Sequence, residues 1–106
     1  MVTSAIAQDC PSVCTVLLLD PPADKQLEIQ CTPNHPCDIT AYLSTLLPNM
    51  TDLKRLTVRG TTMKEIPEAV CNLRAIRHLV LSTNTIERLD PGCFQNMTEL
   101  LILRLS

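Results

Sequence analysis

From Met50 onward the apolar residues recur in a fixed pattern. Met50, Leu53, Leu56 and Val58 are followed by Thr61, Met63 and Ile66. Leu73, Ile76, Leu79 and Leu81 are followed by Asn84, Ile86 and Leu89, and Met97, Leu100, Leu103 and Leu105 open a third copy. The copies start 23 and then 24 residues apart, and every aligned apolar position holds an aliphatic residue or Met. Within each copy Leu56 and Val58, or Leu79 and Leu81, are spaced by two, the period of a half-buried strand. One short strand per copy is therefore predicted. Its outward positions are Arg55, Thr57 and Arg59 in the first copy, His78, Val80 and Ser82 in the second, and Ile102 and Arg104 in the third. A continuous helix over Leu53 to Val70 is disfavoured by Pro67 and by the many β-branched residues. One such unit cannot bury its own apolar side, so neighbouring copies must stack and the ends need covering.

Upstream the pattern changes. Thr15 to Leu19 and Leu27 to Cys31 read as two strands joined by a loop containing Asp20-Pro21-Pro22, the second alternating apolar and polar residues. Asp38-Ile39-Thr40 opens a helical stretch through Leu47, with a capping residue at its start and Pro48 ending it.

The second copy, Ile76-x-x-Leu79-x-Leu81-x-x-Asn84-x-Ile86, resembles the L-x-x-L-x-L-x-x-N-x-L signature of extracellular leucine-rich-repeat proteins. The first copy resembles it too, with Thr61 where the family has Asn; a Thr hydroxyl supplies part of what that amide does at the turn. Leu89-Asp90-Pro91-Gly92-Cys93-Phe94 is similar to the segment that ends vertebrate-type repeats, and Ile66-Pro67-Glu68-Ala69-Val70 is its counterpart one copy earlier. Cys10-Pro11-Ser12-Val13-Cys14 with the two strands after it resembles the family's cysteine-rich N-terminal cap, except that Val16 stands where that cap has a Cys. The resemblance extends to variable lymphocyte receptors and Toll-like receptor ectodomains. It implies an α/β leucine-rich-repeat solenoid with parallel strands on the concave face and a disulfide-stapled β-hairpin cap. The expected division is a signal-peptide remnant over 1–7, a cap over 8–42 and about two and a half truncated repeats over 43–106.

Composition agrees with an aliphatic core: seventeen Leu, one Phe, one Tyr and no Trp. Six Cys in a short chain favour a disulfide framework and an oxidising compartment. They permit fifteen connectivities, among which the sequence alone does not choose. The favoured pairs are Cys14 with Cys31, Cys10 with Cys37, and Cys71 with Cys93 across adjacent coils. The rival is zinc held by Cys31, His35 and Cys37, although that spacing fits no common zinc module. Asn49-Met50-Thr51 and Asn96-Met97-Thr98 are glycosylation sequons at equivalent positions. These signs place the chain outside the cell, secreted or on the outer face of the plasma membrane.

Net charge is -2 and the pI is near 5.5, which gives no global reason to expect nucleic acid as partner. No run approaches the roughly 18 to 20 apolar residues that cross a bilayer, so no membrane contact by this segment is expected. No motif of an activated nucleophile, a zinc hydrolase or a phosphate loop is present, and neither enzyme activity nor a cofactor is expected. The outward strand positions hold three Arg, one His and no acid, a pattern suited to an acidic extracellular protein or glycan. The expected function is recognition by the concave face, of the immune or cell-surface receptor kind. The alternative is a matrix protein of the small leucine-rich proteoglycan type, and an enzyme is the third reading. Leu103 and Leu105 carry no further coil above them, so end-to-end self-association is also expected.

Overall fold

The computed structural model describes residues 14–19, 25–31, 39–82 and 86–105. Residues 1–7, together with Cys10, His35, Cys37, Asn84 and Ser106, lie outside them. Five strands form one sheet in the order β1 (Cys14–Leu19), β2 (Gln26–Cys31), β3 (Arg55–Arg59), β4 (His78–Val80) and β5 (Ile102–Arg104). β1 and β2 are antiparallel, as a hairpin must be, and every later pairing is parallel.

The register explains the repeat. Leu27, Leu56, Leu79 and Leu103 stand side by side across the four parallel strands, and Ile29 stands beside Val58. β2 thus acts as a strand of the repeat array as well as half of a cap, with Leu27, Ile29 and Cys31 buried and Glu28 and Gln30 exposed. Behind the sheet the chain returns through α1 (Thr40–Leu46), α2 (Glu68–Cys71) and two 3₁₀ turns, Leu47–Asn49 and Pro91–Phe94. Between sheet and returns lies a core of Leu, Ile, Val, Met and Cys, in which Ile39, Leu43, Leu53, Leu56, Met63, Val70 and Ile76 are fully buried.

Successive coils are bonded at both edges. The carbonyl of the residue before each strand accepts from the two amides that open the next strand: Lys25 from Lys54 and Arg55 (2.9 and 3.3 Å), Lys54 from Arg77 and His78 (2.8 and 3.1 Å), and Arg77 from Leu101 and Ile102 (2.8 and 3.0 Å). On the return side Lys64 accepts from Glu87 at 2.8 Å. Parallel stacking leaves these peptide groups facing one another, so they are satisfied without water. Thr61, in the place of the family's Asn, is buried, and its hydroxyl accepts from the Met63 amide at 3.2 Å. The hydroxyl therefore takes over part of the turn-closing role.

Three details refine the sequence pattern. α1 begins after Ile39, a buried apolar residue whose side chain caps nothing, and Asp38 ahead of it lies outside the described residues. α1 ends at Leu46, ahead of Pro48 as expected, and the chain goes on through a 3₁₀ turn that holds Pro48 in its first positions, where its missing amide is not needed. Ser82 lies beyond the end of β4, in a turn and not at a strand position.

Two disulfides lie among the described residues. Cys14–Cys31 ties the first residue of β1 to the last of β2, and Cys71–Cys93 ties α2 to the 3₁₀ turn of the next coil. The latter closes a loop of 22 residues. Chain-entropy arguments give such a crosslink about 3 kcal/mol, through restriction of the unfolded chain. Cys71→Ala with Cys93→Ala should therefore lower the unfolding free energy by about that amount, read as a fall in the urea midpoint. An unchanged midpoint would show that the crosslink does not restrict the unfolded state.

Candidate recognition face

Because the sheet buries one side against the return helices, its other side is a surface whose composition is set by strand register. Three rows cross it. Gln26, Arg55, His78 and Ile102 form the first, Glu28, Thr57, Val80 and Arg104 the second, and Gln30 and Arg59 a shorter third. The hairpin extends each row by one residue: Leu19 beside Gln26, Leu17 beside Glu28 and Thr15 beside Gln30. Arg55, Arg59, Ile102 and Arg104 are exposed, whereas Thr57, His78, Val80 and Ser82 are half-buried. Nδ1 of His78 is shielded from solvent and has no hydrogen-bond partner among the described residues.

The outward residues predicted from the sequence, Ser82 excepted, thus share one face. What the sequence reading missed is the contribution of the cap. The alternation of β2 already points Glu28 outward, but only the parallel pairing of β2 with β3 sets it beside Thr57. The strip is therefore not free of acid.

Charge is arranged differently on this face and on the flank ahead of the strands. On the flank three cations have a carboxylate. Lys25 pairs with Asp52 at 3.2 Å, while Glu99 takes Lys54 at 3.6 Å and Arg77 at 3.4 Å, bridging two coils. The hydrogen bond from Lys25 holds the Asp52 carboxyl below its ordinary range. Such exposed pairs add little to stability, because solvent and salt screen them. On the sheet face, among the described residues, no carboxylate pairs with Arg55, Arg59 or Arg104.

Other predicted sites fall elsewhere. Asn49 ends the 3₁₀ turn before Met50 and Asn96 lies in the turn before Met97; both are exposed. Cys31, named for a zinc set with His35 and Cys37, is bonded to Cys14 and offers no thiolate, and the other two lie outside the described residues. Among the described residues no cluster of three His, Cys, Asp or Glu could hold a metal, and no helix is long and apolar enough to cross a membrane.

Parallel strands β3, β4 and β5 recur every 23 to 24 residues, with a short helical return after each of the first two, and this defines a stacked-repeat protein with one open sheet face. The leucine rich repeat family model matches residues 45–106, more than half of the chain, and the chain belongs to that family. No curated protein and no solved structure matches it. Domains of this family generally mediate protein binding.

Proposed function

We propose that this chain is an extracellular recognition module, a solenoid whose concave sheet face binds an acidic protein, as receptors of the variable lymphocyte or Toll-like kind bind their ligands. The observation that carries this reading is the set of cations on the sheet face: Arg55, Arg59 and Arg104 are exposed there and, among the described residues, none has a carboxylate partner, whereas Lys25, Lys54 and Arg77 on the flank do. Guanidinium groups left unpaired in one plane are suited to bidentate capture of carboxylates, and half-buried Thr57 and Val80 between them supply a rigid floor. Disulfides at both the cap and the repeats, with no free cysteine among the described residues, support an oxidising, extracellular address. In this reading 8–42 form the cap, 43–106 the repeats, and glycans on Asn49 and Asn96 mark the side of the array away from the ligand. The chain binds and does not catalyse.

The test is binding of fluorescent polyglutamate and, separately, heparin to the whole chain and to a variant carrying Arg55→Ala, Arg59→Ala and Arg104→Ala. Polyglutamate should bind the native chain in low salt and lose about 100-fold in the variant, near 1 kcal/mol per guanidinium. Equal binding by the two chains would remove the sheet face from consideration. Preference for heparin would redirect the reading to a glycan ligand.

A further inference from the structure

The seam between cap and first repeat has a shape of its own. β2 and β3 run parallel and in register, so their outward side chains face each other as Gln26 with Arg55, Glu28 with Thr57 and Gln30 with Arg59. Between successive pairs the surface dips. One notch is bounded by Gln26, Glu28, Arg55 and Thr57 and walled on the cap side by Leu17 and Leu19. The next is bounded by Glu28, Gln30, Thr57 and Arg59, above the buried Ile29. Same-face side chains of a strand recur every two residues, about 6.6 Å, so the notches are one such step apart.

Their chemistry differs. Leu17 and Leu19 are 45% and 43% exposed, large apolar groups held in water on an edge strand that carries no charged residue. Edge strands ordinarily avoid such a surface unless something covers it. The second notch has no comparable apolar wall; each notch has one Arg, Arg55 in the first and Arg59 in the second, and neither has a carboxylate partner among the described residues.

We infer that this seam takes an extended peptide that places an apolar side chain against Leu17 and Leu19 and a carboxylate, two residues away, against Arg59. This specifies the ligand of the sheet face and rests on the acidic-partner reading above. Only an extended chain fits. A helix is about 10 to 12 Å across, more than two strand spacings of about 4.8 Å, and would ride over the neighbouring rows without entering a groove one seam wide. Each notch holds Glu28 and one Arg, so charge does not separate them, and the apolar wall of Leu17 and Leu19 does. The apolar residue is thereby assigned to the cap end and the acid to the Arg59 end.

The experiment uses labelled decapeptides on a Ser/Thr background carrying Leu-x-Glu, Glu-x-Leu, Ser-x-Glu, Leu-x-Gln or adjacent Leu-Glu, with anisotropy read against the whole chain. One of the two spaced Leu and Glu peptides should bind about tenfold more tightly than Ser-x-Glu, the effect of one buried apolar side chain. Leu17→Ser with Leu19→Ser should abolish that advantage while leaving polyglutamate binding intact; both side chains are exposed, so the fold is not at stake. Equal binding of the Leu and Ser peptides would overturn the apolar subsite and leave the acidic face standing. Equal binding of Leu-x-Glu and Leu-x-Gln would overturn both. Adjacent Leu-Glu binding as well as the spaced peptides would rule out the extended geometry, and no binding of any peptide at millimolar concentration would overturn the inference altogether.

Discussion

Gly60→Ala should be among the most damaging single changes in this chain, lowering the unfolding free energy by about 4 kcal/mol. Two effects add. Gly60 leaves β3 with φ of 74°, in the left-handed region where a Cβ collides with its own backbone at a cost of roughly 1 to 2 kcal/mol. In addition the new Cβ would overlap the carbonyl oxygen of Cys31. That oxygen cannot move aside. It belongs to the last residue of β2, which is paired in the sheet and tethered by the Cys14–Cys31 disulfide. The relief must come from separating β2 and β3, which opens the seam between cap and repeats. Urea denaturation with an unchanged slope would report the loss. A cost under about 1 kcal/mol would mean that the contact between Gly60 and Cys31 is not as close as described.

Leu79→Ala should cost about 3 to 4 kcal/mol, through loss of buried methyl groups and the cavity left behind. Leu79 is completely buried on β4, with Leu56 on one side and Leu103 on the other. A rigid sheet beneath it and two coils beside it leave little that could collapse into the space. Leu103 occupies the same position in the next repeat but is 39% exposed. Leu103→Ala should accordingly cost less than half as much, because part of its apolar surface already meets water. The comparison separates burial from sequence pattern, since the pattern is identical at the two sites. Equal losses would contradict the exposure of the last strand.

How far the chain could be read in advance depended on how local the governing physics is. The strand in each repeat was legible because period-two alternation and the 23 to 24 residue recurrence are properties of the chain itself. The end of α1 was legible too, since the helix stops at Leu46 just ahead of Pro48, but the further 3₁₀ turn that takes in Pro48 was not. Leu89 aligns with half-buried Ile66 yet is 51% exposed, since an aligned letter says nothing about which neighbour covers it. Val16 to Leu19 make the same point. Four consecutive apolar residues would ordinarily be assigned to a core, and here they form an exposed edge strand.

The candidate face divides in the same way. Arg55, Thr57 and Arg59 face outward because Leu56 and Val58 between them face inward, and alternation within five residues is enough to know it. That Arg55 stands beside His78 and Ile102 follows from the repeat period, because equal spacing brings equal positions into register. Both facts belong to the sequence. Tertiary structure alone decided that β2 joins the array in parallel, 29 positions ahead of β3 in chain order, a spacing outside the repeat period. That choice brings Glu28, Leu17 and Leu19 to the face. The physical reason is range: side-chain direction along a strand is fixed by its immediate neighbours, whereas which strand lies alongside, and which charges meet, is settled only when the whole stack closes on a shared core.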